Sequence, residues 1–291
     1  MIEVPERLGW WRDRTGGAAW LASLPQLAEE CAERWSLRLG EPFGQGHVSL
    51  TAAATLSDGG QAVLKLNFPE EESAYEADAL MHWRGEGAVR LLEVDRKRNA
   101  LLIEHADPGT SLWEVEDEEE ATVIAASVMA RLWLLPPPDS NPFRRLADEA
   151  ERWTAQLRSD WEAHGRPLER RLVDAAAAAA RELAGSQAKL AVCHQDLQGS
   201  NVLKAQREPW LAIDPKPIVA EPAFDVGSLL RDRRWSIDRG VIRRRLDLLA
   251  AELDLHRDRM QGWGLVHALH WAVGPDKIEP DLVECARLLA A

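Results

Sequence analysis

The chain is predicted to be α+β and bilobal. An antiparallel-sheet lobe with an N-terminal helix, about five strands and one further helix spans residues 1–104, and a mainly helical lobe spans residues 105–291. Three observations predict this. From Leu37 to Glu104, short apolar runs alternate with turn-forming breaks, as in a strand meander. Past Glu104-His105-Ala106-Asp107-Pro108-Gly109 the apolar period becomes helical. A length of 291 residues exceeds what one small core needs and suits two.

In the first lobe, Ala18, Leu21, Leu24, Leu27, Ala28, Cys31 and Trp35 recur at helical spacing, so 17–38 reads as helix, with Pro25 expected to divide it. Leu37–Phe43 is a first strand and Val48–Leu56 a second. Asp58-Gly59-Gly60 forms a hairpin turn, and Gln61–Phe68 is a third strand. Gly44 and Gly46 punctuate the first turn, whose backbone N–H groups could lie over phosphates. Helix is expected from Glu70 to Trp83, then strands at Val89–Val94 and Ala100–Glu104.

Lys65 is a charge inside the apolar run Ala62-Val63-Leu64-Lys65-Leu66. It reads either as a phosphate-binding point charge or as an edge-strand charge that discourages aggregation. Glu76, ahead of Ala77, Leu80 and Met81, is the candidate to anchor it, with Glu72 as competitor. Glu104 C=O and Ala106 N–H, at the break between lobes, are candidates to hydrogen-bond a nucleotide base.

In the second lobe, Ser111-Leu112-Trp113 opens one segment. Asp117 caps a helix running to Trp133, whose first turn holds Glu118, Glu119 and Glu120 in accord with the helix dipole. Pro136-Pro137-Pro138 stops it. Further helices are expected at 143–163, 168–184, 239–253, 257–272 and 279–290. Asp225 reads as a helix cap or as a brace for the loop that precedes it.

The chemistry concentrates in Val192-Cys193-His194-Gln195-Asp196-Leu197-Gln198-Gly199-Ser200-Asn201-Val202-Leu203 and in Trp210-Leu211-Ala212-Ile213-Asp214. Asp196 and Asn201 have the spacing of the kinase catalytic-loop pattern H-R-D-x-x-x-x-N, with Gln195 in the Arg place. Asp214 ends an apolar strand where a kinase carries a metal-binding Asp. Phosphoryl transfer is mostly positioning and charge neutralisation, so these residue types suffice. A carboxylate, Asp196, orients an acceptor hydroxyl and takes its proton. Asn201 and Asp214 offer hard oxygens to Mg²⁺. Gly199 and Ser200 make the turn that returns Asn201 toward Asp196. The bland alternative is a polar loop whose acids face water.

Composition narrows the partners. A net charge of −13 disfavours nonspecific binding to nucleic acid or an anionic membrane. It suits a cationic small substrate and also serves solubility. The segment Met1–Arg7 lacks the pattern of a signal peptide and no run approaches a spanning helix, so a cytoplasmic location is expected. Cys31, Cys193 and Cys285 form no metal pattern, and Cys193 sits in an apolar run as a small hydrophobe. Thirteen Trp are mostly core residues, with two or three available to a site.

The run Trp210-Leu211-Ala212-Ile213-Asp214-Pro215-Lys216-Pro217, with Phe224-Asp225-Val226 behind it, resembles the aminoglycoside phosphotransferase family, in the branch of streptomycin and hydroxyurea resistance kinases. Glu76–Leu80 and Ala88–Leu92 also resemble that branch, and the likeness spans roughly residues 40–235. The resemblance implies a protein-kinase-like fold with ATP and Mg²⁺ between the lobes. It implies Asp196 as base, Asn201 and Asp214 as metal ligands, and Lys65 with Glu76 at the ATP phosphates. The 104–106 backbone would lie at adenine. The family loop usually reads His-Gly-Asp-Leu-His-x-Gly-Asn; here Gln195 and Gln198 stand for Gly and His. The implied acceptor is a hydroxylated, cationic, streptomycin-like small molecule. Asp232, Asp276, Glu279 and Asp281 are candidates to meet its cationic groups, and Trp235, Trp263 and Trp271 candidates to stack on it. Kinases of a cellular sugar, amino sugar or amino alcohol, and a nucleotide-binding pseudokinase, are the alternatives.

Overall fold

The computed structural model describes residues 2–44, 48–71 and 73–291. Its contacts divide the chain into two compact units, Met1–Gly109 and Thr110–Ala291; the sequence had suggested a boundary after residue 104. Among the described residues no helix is long and apolar enough to cross a membrane.

The first unit is a five-stranded antiparallel sheet in the order β1-β2-β3-β5-β4, formed by β1 (Arg38–Pro42), β2 (Ser49–Thr55), β3 (Gln61–Asn67), β4 (Leu91–Asp95) and β5 (Ala100–Glu104). A 3-10 turn (Glu6–Asp13) and α1 (Gly17–Trp35) pack on one sheet face. There Leu21, Leu24, Ala28 and Cys31 join Leu50, Leu64 and Leu66 in one buried cluster. This corrects the expected break at Pro25, because α1 runs through it. An interior proline costs about 3 kcal/mol. Several buried side chains at about 1.5–3 kcal/mol each offset it.

Strand alternation sends Leu64 and Leu66 to that cluster and turns Lys65 and Asn67 to the opposite face. The short helix α2 (Glu76–Trp83) meets them there. It starts six residues later than expected. The Ser73 hydroxyl donates to the Phe68 carbonyl at 2.9 Å, a local bond that competes with helix.

The second unit holds α3 (Glu118–Leu132), α4 (Leu146–Ala163), α5 (Arg170–Gly185), α6 (Pro222–Asp225), α7 (Gly227–Leu230), α8 (Arg239–Leu253), α9 (Arg257–Ala272) and α10 (Pro280–Leu289). Asp117 caps α3, accepting from the backbone N–H groups of Glu119 and Glu120. Arg144–Arg145, expected in a helix, instead form a short strand, β6. It pairs in parallel with β10 (Ile218–Ala220), which pairs antiparallel with β7 (Ala191–Cys193). A hairpin of β8 (Val202–Lys204) and β9 (Trp210–Ala212) completes the unit.

Helix α9 is buried around most of its circumference, through Met260, Trp263, Leu265, Val266, His267 and Leu269. The run from Trp263 to Leu269 is enclosed on every side, which places that part of the helix at the core centre. Helix α7 approaches it closely: a Cβ on Gly227 would lie 2.8 Å from the His267 Cβ. All three cysteines are free and buried. Burial pushes the Cys31 thiol up to about 11 and that of Cys285 to about 12. Such thiols are poor nucleophiles.

Candidate active site

In the first unit, Lys65 is 3% exposed and Glu76 2%. Lys65 Nζ donates to Glu76 Oε1 at 2.6 Å, and Asn67 Nδ2 to Glu76 Oε2 at 2.7 Å. Strand β3 is the third of five, flanked by β2 and β5, so the edge-strand explanation for Lys65 does not hold. A buried ion pair is weak evidence for stability, because desolvation cancels much of the attraction. Its retention in an otherwise apolar strand needs another reason. Glu72, the competing anchor, lies outside the described residues.

In the second unit, the loop 194–201 is held by groups distant in sequence. Asp225, fully buried at the end of α6, accepts three N–H bonds. They come from His194 N at 2.9 Å, Gln195 N at 2.7 Å and Trp133 Nε1 at 3.0 Å. Burial raises its carboxyl above the ordinary value, with the His194 ring and these donors acting the other way. Asp225 therefore braces the loop; it does not cap the start of a helix.

His194 Nε2 lies 2.9 Å from the Ile213 carbonyl, and its Nδ1 accepts the Asp196 N–H at 3.3 Å. Burial lowers its pKa. The ring is thus neutral, with Nε2 protonated. Gln195 has φ 69°, a left-handed backbone that costs a non-glycine residue about 1 kcal/mol or more. This explains why glycine is usual at this place in the resembling family. Three contacts hold Gln195 there: the Asp225 bond, Arg144 Nη2 donating to Gln195 Oε1 at 3.0 Å, and His267 Nε2 at 3.0 Å from Gln195 O.

The Asp196 carboxylate meets two cations. Arg231 Nη2 donates to Oδ1 at 2.5 Å, and Lys216 Nζ lies 3.9 Å from Oδ2. Arg231 is held in turn by His267 Nδ1, which accepts its Nε–H at 3.1 Å, and by the Trp271 ring, 4.5 Å from its Cζ. Lys216 Nζ also sits over Trp271, 4.4 Å from the ring centroid. With Nδ1 accepting from Arg231 and Nε2 facing the Gln195 carbonyl, the His267 imidazole is neutral too; burial first, then the nearby Arg231 charge, lowers its pKa in the same sense.

Residues Gly199–Asn201 form a single 3-10 turn. Asn201 Nδ2 donates to the Asp196 carbonyl at 2.8 Å, which turns Oδ1 the other way, with Ser200 Oγ 3.4 Å from it. The hairpin register Val202↔Ala212 continues as an Ile213 N–H bond to the Asn201 carbonyl at 3.0 Å. Asp214 follows directly, at φ 61°. Asp196, Asn201 and Asp214 therefore belong to one hydrogen-bonded segment. Asn201 and Asp214 each carry a hard oxygen of the kind a magnesium ion takes, and such an ion keeps several waters and needs few protein ligands. Among the described residues no group of three His, Cys, Asp or Glu is gathered for a metal. A cation here would rely on phosphate and water for its remaining ligands.

The other expected residues fall as follows. Glu104 ends β5, and its Oε2 accepts the Arg90 N–H at 2.9 Å; Ala106 is buried just beyond. Gly44 has open space where a Cβ would stand, and Gly46 lies outside the described residues. Asp232, weighed as a substrate contact, is 1% exposed and internal. It accepts from Trp113 Nε1 at 2.9 Å and Gly199 N at 2.8 Å, and so supports the turn from below. Trp263 is core, donating to Glu221 at 2.5 Å. Trp271 faces two cations, which leaves it a structural part of the Asp196 surroundings.

Arg231, Lys216 and His267 were not singled out from sequence. Arg231 opens Arg231-Asp232-Arg233-Arg234, which looks like a solvated charge run. Lys216 did carry a signal: it lies between two prolines, two residues after Asp214.

Comparison with known proteins follows the same lines. A streptomycin 6-kinase from Streptomyces griseus is 37% identical over 303 residues, covering 99% of this chain and 97% of its own. A hydroxyurea phosphotransferase from Kitasatospora aureofaciens is 37% identical over 273 residues, covering 91% of this chain and 78% of its own. Among solved structures, a choline/ethanolamine kinase family protein from Mesorhizobium loti superposes with a TM-score of 0.64 at 16% identity. The match covers 91% of this chain and 95% of that one, and it speaks for the fold alone. The sequence model of aminoglycoside/hydroxyurea antibiotic resistance kinases matches residues 34–277. With that match across most of its length, the chain belongs to the aminoglycoside/hydroxyurea antibiotic resistance kinase family and is a phosphotransferase that draws its phosphoryl group from ATP.

Proposed function

We propose that this kinase transfers the γ-phosphoryl group of ATP to a hydroxyl of streptomycin or a closely similar aminoglycoside. In this reading Asp196 orients the acceptor hydroxyl and takes its proton. Asn201 and Asp214 hold Mg²⁺, which when bound neutralises phosphate charge. Lys65, fixed by Glu76 and Asn67, binds the α/β-phosphates. Glu104 C=O and Ala106 N–H hydrogen-bond adenine, and the Gly44 backbone approaches the phosphates.

One observation carries the reading: Asp196, Asn201 and Asp214 stand in one hydrogen-bonded segment in a chain 37% identical to a streptomycin 6-kinase along nearly its whole length. The net charge of −13 favours approach of a cationic acceptor. A second reading, hydroxyurea or a similarly small acceptor, is favoured by the equal identity to the hydroxyurea phosphotransferase.

Coupled ADP release over streptomycin, other aminoglycosides, hydroxyurea, amino sugars and amino alcohols tests this, with phosphorus NMR of the product. Streptomycin-dependent ADP release with a new phosphate ester on the drug is the expected result. Release driven by hydroxyurea alone selects the second reading, and release driven by none of them removes both.

A further inference from the structure

We infer that Lys216 is a catalytic residue, its ammonium stabilising the phosphoryl group as it passes to the acceptor oxygen. The inference rests on Asp196 acting as the base. The two oxygens of that carboxylate differ in their surroundings. Arg231 engages Oδ1 at 2.5 Å, so Oδ2 is the oxygen turned toward an acceptor hydroxyl. Lys216 Nζ lies on that side, 3.9 Å from Oδ2, too far for a hydrogen bond. Two centres so spaced can share one oxygen at about 2.8 Å from each. The acceptor oxygen, and the phosphorus that bonds to it, would then sit beside a positive charge.

The step balances without further groups. The acceptor O–H proton goes to Asp196 Oδ2, and the acceptor oxygen forms a bond to the γ-phosphorus. The bond from that phosphorus to the bridging oxygen breaks, and ADP keeps its electron pair. Negative charge spreads over the three equatorial oxygens during transfer. A flexible ammonium is a compact point charge suited to follow them.

The chain pre-positions this lysine. Pro215 and Pro217 fix the backbone on either side, and Lys216 N donates to the His194 carbonyl at 3.0 Å, two residues before the base. The Trp271 face, 4.4 Å away, attracts the charge and holds the ammonium beside Asp196. The side chain is 19% exposed, so a substrate can reach it. Arg231 is tied to both Asp196 and His267, which suits it to orient the base.

Lys216→Met and Lys216→Arg test the assignment. Their kcat, both KM values and the calorimetric affinity for streptomycin would be measured in the presence of MgADP, with and without aluminium fluoride as a mimic of the transferring phosphoryl group. In the wild-type enzyme, aluminium fluoride should tighten streptomycin binding. Lys216→Met should lose about 10²-fold in kcat with KM values changed less than about threefold, and should lose the tightening. Lys216→Arg should recover about tenfold of the lost rate. Undiminished tightening in Lys216→Met, or a rise in KM at unchanged kcat, overturns the role. A wild-type enzyme that neither phosphorylates nor tightens on streptomycin overturns the acceptor reading first, and this inference with it.

Discussion

Arg231 and Asp196 form a buried ion pair at 2.5 Å, and the proposed base therefore works with one oxygen already engaged. Removing one partner of such a pair leaves an uncompensated charge and costs about 3 kcal/mol or more. Arg231→Met should destabilise by about that amount. Asp196→Asn in the same background should recover part of it, because the neutral amide no longer needs the cation. Urea unfolding of the two single variants and the double variant measures the coupling. Strictly additive effects would show that the pair does not contribute as a unit.

Asp196→Asn alone keeps the shape of the loop and removes the proton acceptor. Turnover should fall at least about 10²-fold, the usual worth of a positioned base. Affinity for MgATP should change little. Stopped-time ADP release and calorimetric nucleotide binding separate the two, and near-wild-type turnover would reassign the base.

Asp225 receives three N–H groups at both of its oxygens. An asparagine has one acceptor oxygen there and turns an NH₂ toward a donor. Asp225→Asn should therefore cost about 2–3 kcal/mol. It should also lower kcat, since Gln195 at φ 69° depends on that oxygen. Loss of stability with full activity would mean that the loop holds its shape without Asp225.

The Lys65–Glu76 pair should reveal itself through the nucleotide. Lys65→Met should raise the KM for ATP about tenfold or more while leaving the affinity for acceptor alone nearly unchanged. Glu76→Gln keeps the side-chain shape and one acceptor oxygen for the two donors Lys65 and Asn67, and leaves Lys65 its charge, so its effect should be smaller in the same direction. Initial rates over a matrix of ATP and acceptor concentrations distinguish these outcomes. An equal rise in both KM values would point to a general unfolding of the sheet.

Local order was readable in advance. The spacing of Asp196 and Asn201, and Asp214 after an apolar strand, are short-range patterns that a hairpin converts directly into proximity. The bounds of α8 and α9 follow from apolar period, and Asp238 marks the first by accepting the Val241 N–H at 2.9 Å. Lys65 stood out as a charge within an apolar strand. By contrast, Arg231 and His267 reach the loop only because α7 and α9 pack together at Gly227, and no local period encodes that approach. Helix α1 crossing Pro25 is a similar case, where tertiary burial outweighs a local preference.

The same packing makes stability depend on pH through two imidazoles. His194 and His267 are fully enclosed, and burial is the largest cause of the lowered pKa of each. His267 also faces Arg231, His270 and Lys216, which push its pKa in the same direction. Because the folded pKa values lie below the ordinary 6.5, the contribution is complete above pH 6.5. It is lost as pH falls, since the unfolded chain takes up protons that the folded chain excludes. Each ring can remove up to about 1.4 kcal/mol per pH unit once the unfolded histidine is fully protonated. Urea unfolding at about pH 7.5 and about pH 5.5 should show this decline. His267→Gln can still accept from Arg231 and donate to the Gln195 carbonyl, so it should fold and show a shallower decline, by about one ring's share. An identical slope in the variant would mean that His267 keeps its proton in the folded protein, and the neutral ring assigned from its two hydrogen bonds would be wrong.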